Sequence, residues 1–473
     1  MSKYSEIFHS SSKYFVLKIF FQVLSGFLSI FVVRLLGPDE YGRFSLVTQL
    51  IVTIGLLLSF GFSGTLSRFL PEINNQNEKK NLCSQSFEIT FIAFLLFSLF
   101  FVFSINKFPK LYPIEIREIK NIFLFLILLY AFINIFQGVY RGLGKFLKWS
   151  ILEGAYEFFW RAISIIIIVL ISNSFKTVIY NMFFVMLFFI AINFVFIRKN
   201  LGFTNLNIRK DIFNFGLAMF VGQILFILLT TLHYVMLRVL LKNPVDVGYY
   251  SAGLRVPQLI ESLSLASLPV PFLYYFSHPD TVETKEKIVQ FGSKTLGIAF
   301  GFISLVIFSF ADKIIPLLFT NVYAESIKVT QIYSFTLFLF GLQAFFGPFF
   351  YSINRPFLVI AAGFIYFIIS TSLNFWLIPA FKSTGPAISA IAGLTIQTII
   401  ITIVISKYKI PLIKTNLLLL LGLSLSIITG LLSHLSVSIP VFAVYIISLR
   451  LLTIDDFLLI KKIIMKQKTE AKG

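Results

Sequence analysis

Apolar runs of about twenty residues, separated by short polar breaks, recur along the whole chain. A hydrocarbon core about 30 Å thick needs about 20 apolar residues of helix, so the runs predict membrane-spanning helices. They are Tyr14–Leu36, Phe44–Leu70, Ser84–Phe103, Ile122–Leu143, Ile151–Ser172, Thr177–Ile197, Ile212–Leu240 and Val247–Phe276. Leu296–Phe319, Val329–Ile353, Phe357–Leu377, Gly385–Ser406, Leu417–His434 and Val437–Leu452 follow. The length rule therefore predicts an all-α integral membrane protein with about fourteen transmembrane helices. Strand-like alternation is absent, which excludes a membrane β-barrel.

Composition agrees with the pattern. Of 473 residues, 57% are apolar and 13% charged, and the mean hydropathy is +0.89. Soluble domains carry roughly 25% charged residues. One soluble core also stops growing at about 250–300 residues, so the apolar excess needs lipid as its solvent. The first apolar run begins near Tyr14 without a following small-residue cleavage site, so no cleaved signal is expected. The 59 phenylalanines read as lipid-facing filler.

Charge sets the expected orientation. The net charge is +19. With a cytoplasmic N-terminus, Lys and Arg favour the cytoplasmic loops by roughly two to one, which predicts both termini inside a cytoplasmic membrane. The loop Lys107–Lys120 runs against this bias, with Glu115 and Glu118 offsetting it in part. The basic residues are scattered among spans and form no continuous face, so nucleic acid is excluded as a partner. Cys83 is the single cysteine, which rules out an intrachain disulfide and any multi-Cys metal site. His9, His233, His278 and His434 are far apart and show no ligand spacing, so no metal or cofactor is expected.

The chain repeats itself. Leu36-Gly37-Pro38-Asp39-Glu40-Tyr41-Gly42 aligns with Lys242-Asn243-Pro244-Val245-Asp246-Val247-Gly248, at an offset of 206 residues from Gly42 to Gly248. Gly144-Lys145-Phe146-Leu147 aligns with Asn354-Arg355-Pro356-Phe357-Leu358, at an offset of 210 from Lys145 to Arg355. Each offset spans an even number of helices, so both copies share one orientation, related by a pseudo-two-fold along the membrane normal. The expected organisation is a six-helix lobe over 1–205 and a second over 206–408. A helix pair with a basic cytoplasmic tail over 409–473 completes it. The segment Ile197–Phe213 links the lobes.

Ionisable groups inside spans face a cavity or a partner, because lipid penalises them. Glu153, Glu157 and Arg161 share one helix face at i, i+4 and i+8. They read either as a cavity stripe or as a self-neutralising Glu157–Arg161 pair. Arg255 lies between Gly253 and Pro257, with Glu261, Pro269 and Pro271 beyond. A proline frees a helix carbonyl that then needs a partner or water, which suits a hydrated site. An Arg snorkelling to the interface is the other reading. Arg34, Arg43, Arg238 and Lys242 cluster near the repeated turns together with Asp39, Glu40 and Asp246. They are candidates for gate salt bridges or ordinary interfacial anchors.

No P-loop, nucleophile elbow, HExxH or DxD-type nucleotide site occurs, so the chain is not expected to be an enzyme or to hydrolyse ATP.

The turn Arg34–Ser45 resembles the first external turn of Wzx-type polysaccharide-transport flippases. These belong to the multidrug/oligosaccharidyl-lipid/polysaccharide exporter superfamily. Tyr140-Arg141-Gly142-Leu143-Gly144-Lys145 is similar to theirs as well. The resemblance implies alternating access through a V-shaped cavity, with a polyprenyl-diphosphate-linked oligosaccharide as substrate. It implies a role in making surface polysaccharides such as O-antigen or capsule, beside a polymerase, glycosyltransferases and membrane lipids. By placement, Arg161, Arg255, Arg43 and Arg34 would meet substrate. Glu157, Glu153, Glu261, Asp39, Glu40, Asp246 and Arg238 would serve ion coupling or gating. A cation-coupled multidrug exporter of the same superfamily is the alternative. It would want acids deep in the first lobe, and the first four spans offer only Glu88, near an interface.

Overall fold

The computed structural model describes residues 3–202, 209–264, 282–353, 355–408 and 410–451. Part of the 197–213 link, Pro269, Pro271, the end of the eighth span, His278, Asn354 and the tail from 452 lie outside the described residues. The described residues are helical with short connections. Eight of their stretches are long and apolar enough to cross a membrane, and Leu17–Leu58 and Phe357–Ser406 extend over 42 and 50 residues.

By internal packing the chain divides into two compact units, Met1–Gly248 and Tyr249–Gly473. Unit 1 holds α1 (Lys3–Leu58), α2 (Phe62–Glu72), α3 (Gln76–Lys107), α4 (Ile114–Glu118) and α5 (Lys120–Gly142). It continues with α6 (Phe146–Leu170), α7 (Phe175–Ile197), α8 (Lys210–Leu241) and the start of α9 (Pro244–Ser264). Unit 2 takes the rest of α9, then α10 (Val282–Phe319), α11 (Ser326–Tyr333), α12 (Phe335–Gln343) and α13 (Phe346–Ser352). It ends with α14 (Pro356–Phe381), α15 (Gly385–Ser406), α16 (Ile413–Leu432) and α17 (Ser438–Ser448).

At 56 residues, α1 is long enough for two crossings, and Gly37 divides it with φ 73°, a value open to glycine. Pro38 restarts the helix with its φ already set. The second repeated turn does the same with Lys242, at φ 55°, before Pro244. These two helix starts meet backbone to backbone. A β-carbon placed on Gly42 would collide with the Pro244 carbonyl oxygen, and one on Gly248 would collide with that of Pro38. The contact is therefore reciprocal at the 206-residue offset. The other repeat recurs in hydrogen bonding, because Lys145 N–H donates to the Tyr140 carbonyl and Arg355 N–H to the Phe350 carbonyl, both at 2.8 Å.

Two expected single spans are broken. Phe44–Leu70 is interrupted where Phe60 and Gly61 take φ 45° and 72°. The Gly61 N–H is satisfied from α8, donating to Gln223 Oε1 at 3.1 Å. Val329–Ile353 is divided among α11, α12 and α13. At its first break the Ser334 hydroxyl bonds back to the Gln331 carbonyl at 2.8 Å, and Ser304 Oγ donates to the Ser334 carbonyl. Such hydroxyl back-bonding bends helices.

Phenylalanine corrects the filler reading. Phe100, Phe103 and Phe184 do face outward as lipid-facing groups. Phe123, Phe136, Phe338, Phe346 and Phe350 are fully buried. Rings such as Phe87 and Phe136, with centroids 5.1 Å apart, knit unit 1 together. In unit 2 the C-terminal pair α16–α17 is part of the core, since Leu419, Leu423, Phe442 and Ile446 pack with Leu305, Phe338 and Leu342.

Candidate functional site

In unit 1, α6 carries the polar stripe and α1 faces it. Arg161 Nε donates to Ser29 Oγ at 2.7 Å, across 132 residues of sequence. Arg161 Nη1 donates to the Glu157 carbonyl at 2.8 Å and pairs closely with the Glu157 carboxylate. Trp160 Nε1 donates to the same carboxylate at 3.3 Å, and its ring lies 4.2 Å from the guanidinium carbon. Asn181 fixes α6 from α7, donating to the Trp160 carbonyl at 2.8 Å and to Ser164 Oγ at 2.7 Å. The Arg161 side chain is only 15% exposed, while Glu157 is 37% exposed. A guanidinium has five N–H donors in a rigid fork. Nε and Nη1 are engaged, and among the described residues Nη2 has no hydrogen-bond partner. Its two donors suit an anionic oxygen. Glu153 lies one turn before Glu157 and is part-buried.

The charged residues near the two repeated turns form these contacts. Arg43 Nε donates to Asp39 Oδ2 at 3.0 Å, an i, i+4 contact within one turn, and lies 3.8 Å from Glu40. Glu40 Oε2 accepts the Phe175 N–H at 2.6 Å, placing a carboxylate on the start of α7. Among the described residues, Arg238 forms no ion pair with either repeated turn. Its Nε and Nη2 donate to Glu115 Oε1 at 3.0 and 2.9 Å, and Glu115 is fully buried. From sequence Glu115 is only a charge offset, because 123 residues separate it from Arg238. Asp246 is buried in the first turn of α9. Arg34 is exposed and makes no ion pair among the described residues.

In unit 2, Arg255 is part-buried on α9. Pro257 frees the Gly253 carbonyl one turn earlier, and the Thr330 hydroxyl of α11 takes it at 2.9 Å. The partner at this kink is therefore a protein hydroxyl. Glu261, further along α9, borders a cavity of about 280 Å³ shared with Gln343, Gln397, Phe340 and Phe346. Neither glutamine was singled out from sequence, since a neutral amide in an apolar run gives no charge signal.

A family model described as polysaccharide biosynthesis protein matches residues 11–272. No curated protein matches the chain. Among solved structures, the lipid II flippase MurJ in an inward closed conformation is similar, at 14% identity over 92% of this chain and 98% of that one, with a TM-score of 0.71. An inward-facing multidrug resistance MATE family transporter of the MOP superfamily aligns at 14% identity over 83% and 95%, with a TM-score of 0.62. A MOP superfamily transporter from Pyrococcus furiosus aligns at 14% identity over 86% and 96%, with a TM-score of 0.59. At these identities the likeness establishes the fold.

Proposed function

Because the chain belongs to the polysaccharide biosynthesis protein family and folds as MOP superfamily transporters do, we propose that it is a flippase. Its substrate is a polyprenyl-diphosphate-linked oligosaccharide destined for a surface polysaccharide such as O-antigen or capsule, moved across the cytoplasmic membrane by alternating access. In this reading the termini are cytoplasmic. The duplicated lobes are 1–205 and 206–408, with 409–473 appended. Glycosyltransferases supply the substrate and a polymerase consumes it.

The observation that carries the reading is the Nη2 edge of Arg161, unengaged among the described residues, on a part-buried guanidinium held by Glu157 and Ser29. A diphosphate cannot cross hydrocarbon bare, and a guanidinium stays charged and binds phosphate oxygens in pairs. Glu157 offsets the cation's cost in the resting state, so the site need not be fully uncompensated when empty. Arg255 is the second guanidinium proposed to meet the head group. Arg43 and Arg34 would meet it at the outer face, where Arg43–Asp39 and Arg238–Glu115 act as fasteners. The multidrug alternative fares less well here, because the Glu157 carboxylate is already taken by Arg161 and Trp160.

The test is transport of a fluorescent undecaprenyl-diphosphate oligosaccharide in proteoliposomes. Arg161→Ala should slow it about tenfold or more, since hydrogen bonds to charged groups contribute about 1.5–3 kcal/mol. Arg161→Lys should recover part of the rate. Wild-type rates in Arg161→Ala, with the protein still in the membrane, would refute this assignment.

A further inference from the structure

We propose that the Glu261 cavity of unit 2 is a carbohydrate subsite, which binds a hexose unit of the transported glycan through its hydroxyl or amino groups. The inference rests on the flippase reading and goes further by naming what the second unit recognises.

Glu261, on α9, contributes a carboxylate that makes no hydrogen bond or ion pair among the described residues. Gln343, on α12, donates one of its two amide N–H groups to Thr398 Oγ1 at 2.6 Å. That bond fixes the side chain and leaves its carbonyl oxygen available. Gln397, on α15, adds a carboxamide with no hydrogen bond among the described residues. Phe340 supplies an aromatic wall, with the buried Phe346 ring packed behind the lining. One carboxylate and two carboxamides can accept from and donate to neighbouring hydroxyls. Aromatic faces cover the apolar C–H face of a sugar ring.

Size decides between a sugar and an ion. At ~30 Å³ per water, the cavity of about 280 Å³ has room for about nine waters. It falls near the small end of ligand pockets, roughly 300–1,000 Å³. A dehydrated cation needs ligands closed tightly around it. No group of three or more His, Cys, Asp or Glu able to hold a metal occurs among the described residues. A hexose-sized polyol matches both the space and the three scattered polar groups. The carboxylate gains most from a guest rich in donors, because Glu261 is part-buried and an unmet carboxylate away from water is costly.

Transport is measured in proteoliposomes for two lipids side by side: undecaprenyl diphosphate bearing a hexose oligosaccharide, and bare undecaprenyl diphosphate. The readout is the ratio of the two rates. Gln343→Ala and Gln397→Ala should each lower that ratio about tenfold, with unfolding temperatures near wild type. Glu261→Gln keeps a hydrogen-bonding group and should lower it less than Glu261→Leu. An unchanged ratio in both glutamine variants overturns the subsite. Equal loss for both lipids in Glu261→Gln also overturns it, and assigns Glu261 to ion coupling instead. If the wild-type protein moves neither lipid, the flippase reading itself falls, an outcome separate from a ratio that stays flat.

Discussion

At Arg161 in unit 1, the charge is matched within a single helical turn, by Glu157 from the same helix and Ser29 from α1. At Glu261 in unit 2, the carboxylate borders an open cavity and its polar neighbours are neutral amides. The first arrangement offsets the charge while leaving one guanidinium edge without a hydrogen-bond partner among the described residues. The second leaves a carboxylate without a hydrogen-bond partner among the described residues. On the proposed flippase reading, a substrate that is an amphipathic anion with a bulky polar part has use for both, one for charge and one for shape. Glu115–Arg238 marks the extreme of the matched kind, with its carboxylate wholly shielded and both donors of the guanidinium edge on one oxygen.

That contrast can be broken most severely at the shielded pair. Arg238→Met leaves Glu115 buried without its counter-ion and should destabilise the protein by about 3–5 kcal/mol. Adding Glu115→Leu should restore most of that loss. Thermal unfolding in detergent reads both, and a single variant as stable as wild type would mean that the pair is not shielded in solution.

Glu261→Leu sharpens the comparison from the other side. Removing a part-buried acid that has no ion-pair partner among the described residues should leave stability unchanged or raise it by about 1 kcal/mol, because no described partner is stranded. A clear loss of stability would reveal a structural bond to Glu261.

The smallest effect belongs to the exposed Arg209–Asp211 pair at the start of α8, with Arg209 Nη2 to Asp211 Oδ2 at 2.6 Å. The hydrogen bond from Arg209 holds the Asp211 carboxyl below the usual aspartate range. A depressed folded-state value means that its contribution is present above the unfolded value, about 3.9, and is lost as pH falls through the lower folded value. Full exposure and screening keep that contribution slight. Asp211→Asn should therefore leave stability at neutral pH almost unchanged and flatten its fall in acid, as read by unfolding between pH 6 and 3.

Helix identity was legible because lipid imposes length, and α5, α7, α8 and α15 begin and end within a few residues of the apolar runs. The breaks at Phe60–Gly61 and Ser334 were not, since apolar periodicity continues through them and their cause lies in Gln223 and Ser304 elsewhere in the chain. The Glu157–Arg161 pair followed from spacing, whereas Ser29 needed the fold to bring it near. Glu261 stood out as an acid in a span. Gln343 and Gln397 did not, because amides are common enough in membrane helices to raise no flag.

The meeting of Gly42 with Pro244, and of Gly248 with Pro38, has a consequence for how this chain tolerates change. Two main chains touch there with no side chain to titrate, screen or oxidise. Ionic strength and acidity therefore pass that junction by. Even one added methyl, as in Gly42→Ala, has nowhere to go, and no swap at another side chain can make room between two backbones. How readily these helix starts part is thus set by their surroundings, leaving the neighbouring charged residues as the adjustable controls of an otherwise fixed joint.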